Sequence, residues 1–193
     1  LATNARFRSL YTAEKRLYLH EVASAKDVEN RLFELAVRPG AARAIVFVEK
    51  PEDAAKMAER LRAEIKSERV ALLTGTMRGY ERDLLTGVTT RDEHDELAGQ
   101  RAVFKQFMLA TPPAEPRWLV ATSAGEVGVN ITSERLVSAL VESDHLIQRF
   151  GRLNRFPGGV AGEAHIVAVA TEKKSTLVET LGYLHSLPLL DGG

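Results

Sequence analysis

The feature that most constrains this chain is a series of short, nearly unbroken apolar runs. Ala44–Val48 reads AIVFV, Val70–Thr74 reads VALLT and Trp118–Thr122 reads WLVAT. Leu136–Val141 (LVSALV) and His165–Ala170 (HIVAVA) continue the series. A strand with one wet face alternates apolar and polar residues, whereas an unbroken run belongs to a strand covered on both faces. Arg16–Val22 (RLYLHEV) does alternate and reads as a further strand. Amphipathic segments separate these runs. The pattern predicts an α/β fold, a parallel sheet of about six strands with helices on both faces.

The helices carry their own signals. Ser24 and Asp27 form a capping pair before a helix bearing Val28, Leu32, Leu35 and Ala36. Pro51 opens a second helix, with Glu52 and Asp53 in the first turn where the dipole favours them. Its apolar face holds Ala54, Met57, Ala58, Leu61 and Ile65. A third spans about Glu96–Met108, with Leu97, Phe104, Phe107 and Met108.

The 193 residues make one domain, 1–193, and show no internal repeat. Residues 1–15 and 184–193 read as linker or terminal segments of a longer protein. There are no cysteines, which excludes disulfides and zinc-cysteine sites. The five histidines lack metal-ligand spacing, so no metal site is expected. No run reaches membrane length and the first residues do not form a signal peptide, so a cytoplasmic protein is expected. Lys+Arg and Asp+Glu are equal at 26 each, a formal net charge of +0. A free-standing nucleic-acid binder is usually basic, so any phosphate contact here is local or shared with another domain.

In parallel sheets, function gathers at the carboxyl ends of strands. The loop after WLVAT contains Ser123, Gly125 and Gly128, small residues whose backbone N–H groups can face an anion. One strand later comes DHLIQRFGRLNR, Asp144–Arg155, with three arginines within seven residues. Drawn as one helix to about Arg155, it places Gln148, Arg152 and Arg155 in a row. Leu146, Ile147, Phe150 and Leu153 fall opposite, and Arg149 lies to the side. The arginine fork suits phosphate oxygens. A solvated amphipathic helix is the plain alternative, at about even odds for the pattern alone.

VATSAGEVGVNI and QRFGRLNR resemble motifs V and VI of superfamily 2 helicases, in the order and spacing of their second RecA-like domain. AIVFVEKPEDAAKMAERL is similar to their motif IV, and LLTGTMRGYERDLL to the strand and loop that follow. The resemblance spans roughly Arg16 to Ala170, and the wording is most similar to the helicase of type I CRISPR systems. It implies a RecA-like sheet and half of an ATPase. Arg152 and Arg155 would reach the γ-phosphate of ATP, held with Mg²⁺ mainly by an absent first RecA-like domain. Gln148, Gly125 and Asn130 would line the nucleotide cleft; Asn130 stands where the family has an acidic residue. Thr122, Gly75, Arg78 and Arg82 would meet nucleic acid, although an ordinary turn explains the last three nearly as well. The implied partners are the first domain in cis, single-stranded DNA, an HD nuclease domain and a CRISPR surveillance complex.

Asp92-Glu93-His94 spells a helicase DExH box but follows a polar loop in the wrong order, and reads as a solvated acidic loop. No GxxxxGK[ST] phosphate loop occurs in the chain. Trp118 reads as packing rather than a base-stacking platform. An RNA helicase domain of the same superfamily and a RecA-like binding module without catalysis both stay open at this point.

Overall fold

A computed structural model describes residues 14–65, 67–76, 83, 85, 98–126, 128–155 and 161–187. All six expected strands are present: β1 (Lys15–Val22), β2 (Arg43–Phe47), β3 (Val70–Leu73), β4 (Arg117–Ala121), β5 (Arg135–Ala139) and β6 (Gly162–Val169). They form one parallel sheet in the order β1-β6-β5-β2-β4-β3. The helices are α1 (Ala25–Val37), α2 (Pro51–Glu64), α3 (Ala98–Met108), α4 (Ser143–Phe150) and α5 (Ser175–Ser186).

The apolar runs are unbroken because both sides of the sheet are covered. Val46, Val120 and Val137 face α1 and α2, against Leu35, Met57 and Leu61. Ile45, Phe47, Leu119 and Ile166 face the other way, into a layer with Phe104, Phe107, Leu146 and Leu184 from α3, α4 and α5. Trp118 is packing, as expected: it is buried and its indole N–H donates to the Ala36 carbonyl at 2.8 Å. Asp27 caps α1 by accepting from the Ser24 N–H at 3.1 Å and its hydroxyl at 2.7 Å.

The amino ends of the central strands are tied down by buried arginines. The fully buried Arg43 pairs with Glu134 at 2.5 Å and donates to the carbonyls of Gln106 and Leu109. Arg135 pairs with Glu163 at 2.8 Å and donates to the carbonyls of Arg38 and Pro39. These guanidiniums are fully engaged in joining loops.

At the β1–β6 edge, Arg31 donates to His20 Nδ1 at 3.2 Å, and His20 Nε2 lies 3.0 Å from His165 Nδ1. This order leaves His20 donating and puts the His165 proton on Nε2, 3.5 Å from Glu163. His165 is 2% exposed, and burial, with His20 and Arg135 adding to it, lowers its pKa to about 4.

The boundaries of the expected terminal segments shift. Lys15 opens β1, and residues 184–186 belong to α5 with Leu184 buried, so these positions are part of the fold.

Candidate functional site

The loops after β3 and β4 are joined by one hydroxyl. Thr122, buried just past β4, accepts from the Gly75 N–H at 3.1 Å through Oγ1. Beside it the Thr74 and Thr76 hydroxyls are 3.0 Å apart. After Thr122 the chain makes a single 3₁₀ turn, Ser123–Gly125. The Gly125 N–H donates to Thr122 O and the Glu126 N–H to Ser123 O, each at 2.9 Å. Of the N–H groups expected to face an anion, that of Gly125 is spent inside the protein, as are those of Gly75 and Glu126.

The glycines serve different ends. A Cβ on Gly125 would sit 2.9 Å from Ala121 Cβ and 3.0 Å from Phe47 Cε1, so packing demands glycine there. A Cβ on Gly75 would meet nothing within 4 Å, which leaves space for close approach.

The arginine segment is shorter as a helix than its spacing predicts. Helix α4 stops at Phe150, and Arg152 and Arg155 lie beyond it. The Arg152 N–H folds back to Arg149 O at 2.8 Å and the Leu153 N–H to Phe150 O at 3.1 Å, a tightened last turn. The segment then pairs with a distant one. Ser133 N–H donates to Arg152 O at 3.0 Å, and Asn154 N–H to Ser133 O at 2.8 Å. Asn154 has φ of 49°, a left-handed turn that asparagine tolerates and that ends the helical path. The Arg155 N–H is received by Thr132 Oγ1 at 3.0 Å. The row of Gln148, Arg152 and Arg155 along one helix is thus corrected to Gln148 on the helix and the two arginines on a pinned turn.

The faces are corrected as well. Ile147, expected inside, is 69% exposed, and Arg149, expected at the side, is 3% exposed. Arg149 Nε donates to Glu126 Oε1 at 2.7 Å and Nη1 to Ser138 Oγ at 2.6 Å, with its guanidinium 4.9 Å above the Phe47 ring. Burial lowers its pKa, against the opposing pull of Glu126. The buried Glu126 carboxylate also receives His145 Nδ1 at 2.6 Å, and this bond raises the His145 pKa. The Glu126 carbonyl accepts from Arg152 Nη2.

Arg152 is 8% exposed, and its Nε is buried with no hydrogen-bond partner. Burial lowers its pKa, and the neighbouring charge of Arg155 adds to this. Arg155 itself is half-buried. Thr122, Gly75, Gly125 and Arg152 are brought into one connected patch. Gln148 and Asn130 are exposed, and neither side chain makes a hydrogen bond to the described residues. Arg78, Arg82 and the acidic Asp92-Glu93-His94 stretch lie outside the described residues.

Sequence reasoning set Arg149 at the side as a brace and did not single out its partners Glu126 and Ser138. One signal was available: Leu146, Arg149 and Leu153 share the i, i+3, i+7 spacing of a buried stripe, with an arginine in its middle. Among the described residues no three acidic, histidine or cysteine side chains gather as a metal site. None of the described helices is long and apolar enough to cross a membrane.

Comparison with known proteins adds a family. The model for the C-terminal region of the CRISPR-associated nuclease/helicase Cas3 matches residues 40–158. Among curated proteins none matches in sequence. The chain is similar to the C-terminal domain of the DEAD-box protein Dbp5, with a TM-score of 0.62 and 22% identity over 92% of this chain and 89% of that one. It is similar to T. fusca Cas3 at a TM-score of 0.57 and 15% identity, covering 94% of this chain but 23% of that one. E. coli DEAD-box SrmB, solved bound to the regulator of ribonuclease activity A, aligns at a TM-score of 0.56 and 20% identity, over 91% and 88%. The six-stranded parallel sheet is thus RecA-like, in the arrangement of DEAD-box C-terminal domains.

Proposed function

The chain belongs to the family of Cas3 C-terminal helicase domains, and from that premise we propose that it is the arginine-donating half of an ATP-dependent helicase acting on single-stranded DNA. Arg152 and Arg155 reach the γ-phosphate of an ATP held on a first RecA-like domain. The observation that carries this reading is Arg152: a buried guanidinium with one unpartnered N–H, beside a second arginine. A buried donor without an acceptor is costly, and a phosphate oxygen would satisfy it. The residues here thus fit the phosphate end of the nucleotide. They offer no phosphate loop and no cluster for Mg²⁺ among the described residues, so those parts fall to the first domain.

When bound, ATP supplies the phosphoryl transfer; this chain contributes cationic charge where negative charge spreads. Thr122 ties the β3 and β4 loops so that they move as one surface toward nucleic acid. Its hydroxyl accepts from Gly75 and keeps its own proton to donate. Gly75 leaves room for a backbone, and Arg78 and Arg82, close to it in sequence, supply charge. Gln148, Gly125 and Asn130 border the nucleotide cleft, with Gln148 and Asn130 free to bond the nucleotide or water. An HD nuclease domain and a CRISPR surveillance complex complete the working assembly, in the cytoplasm.

The test is ATP turnover by the two-domain protein. Arg152→Ala is expected to lower kcat by roughly 10³-fold, the scale of an arginine finger in well-studied NTPases, with ATP still bound. Unchanged turnover sinks the proposal. Stimulation of wild-type turnover by single-stranded DNA is expected; stimulation by RNA alone assigns the domain to an RNA helicase instead.

A further inference from the structure

Glu126 sits between α4 and the Arg152 guanidinium. Its carboxylate takes Arg149 Nε at 2.7 Å and His145 Nδ1 at 2.6 Å, and its carbonyl takes Arg152 Nη2. It is 3% exposed, just after the small residues Ser123, Ala124 and Gly125, and its partner Arg149 is equally buried. Arg149 is braced on its far side by Ser138 of β5 and stacked on Phe47 of β2. The chain of contacts therefore runs from two central strands, through Arg149 and Glu126, to the guanidinium of Arg152.

We propose that Glu126 is a positioning residue for Arg152: its carboxylate locks the loop after β4 onto α4, and its carbonyl, held by that lock, aims the Arg152 guanidinium. This rests on the arginine reading above and goes beyond it. Glu126 touches no reacting atom, and acts through where it puts Arg152. His145 is the solvent-facing third of the lock. Replacing the pair by neutral side chains keeps the packing and removes the lock, so aim and stability can be separated.

A buried ion pair that loses one member is strongly destabilising, while replacement of both by groups of similar volume is often neutral. The experiment therefore uses the two-domain protein with Glu126→Gln combined with Arg149→Met, and with Ser138→Ala as a milder variant. Thermal midpoint, kcat and KM for ATP are measured with saturating single-stranded DNA. The double variant is expected to hold its thermal midpoint and its KM while kcat falls about 10- to 100-fold, the scale of a small misplacement in an active site. Ser138→Ala is expected to lower kcat about 3-fold at unchanged KM, since it loosens one donor of Arg149 while leaving every charge in place. Activity that recovers with the thermal midpoint in the double variant overturns the proposal, because a merely structural pair would do that. Wild-type kcat in Ser138→Ala overturns it as well. Arg152→Ala is run beside them: full turnover there defeats the arginine reading itself, whereas loss there with wild-type kcat in the double variant defeats only the role of Glu126.

Discussion

At the scale of single residues, charge is a poor guide to exposure in this domain. Arg43, Arg135, Arg149 and Arg152 are all buried, and each of the first three is wrapped in specific acceptors. An arginine can be enclosed at tolerable cost when its fork is filled, because desolvation is offset only by complete pairing. Arg152 is the exception, with an unfilled N–H. Size matters as sharply as charge at Gly125, wedged against Ala121 and Phe47. Gly125→Ala is expected to cost about 1–3 kcal/mol by overpacking, measured by urea denaturation. The arginines also mark what could be read in advance. Arg152 and Arg155 stood out by spacing, whereas Arg149 was set aside although its position matched the apolar stripe. Its partner lies 23 residues earlier, in a loop whose geometry no local pattern dictates.

At the scale of elements, the central strands were legible because burial on both faces leaves mostly apolar residues in them, and β1 was legible because it alternates. Helix α1 was legible from Ser24 and Asp27, and α2 from Pro51, since caps are local chemistry. The end of α4 was not. Its stop at Phe150 is decided by Ser133 and Thr132, which take the backbone of Arg152 through Arg155 into tertiary hydrogen bonds. Helical periodicity continues through 155 on paper because nothing nearby contradicts it. The β1–β6 edge offers a pH test. The His165 pKa, about 4 in the fold, lies below its ordinary 6.5. The unfolded chain therefore takes up the proton first as pH falls, and stability drops from pH 6.5 toward 4.5 by about 2 kcal/mol. His20, also lowered by burial and by Arg31 and Arg38, acts in the same direction. Denaturant titrations across that range should show the slope, and His165→Phe should flatten it. A slope unchanged by the substitution would place the titrating group elsewhere.

At the scale of the whole molecule, the sheet divides its labour between its two ends. Filled arginine forks close the amino ends of β2 and β5, the carboxyl ends of β3 and β4 hold Gly75 and Thr122, and the arginine turn is pinned just before β5 with the Arg152 guanidinium reaching back to the loop after β4. That division is a property of parallel sheets, and it was legible once the runs were seen to be parallel. What the domain lacks was legible too, in the missing phosphate loop. The isolated 193-residue chain is expected to turn over no ATP in a coupled assay. Turnover that Arg152→Ala abolishes would show that the chain needs no partner half.

One pairing has a consequence during synthesis. Among the described residues the first strand, β1, pairs only with the last, β6, along Lys15–Val22 against Gly162–Val169. At about 5–20 residues per second, a ribosome needs roughly 7–30 s to go from one to the other. As they emerge in that interval β2, β3, β4 and β5 can assemble among themselves, while β1 waits for its partner. Its Lys15, Arg16 and Glu21 then act as guards, charged positions that discourage a neighbouring nascent chain from taking the place reserved for β6.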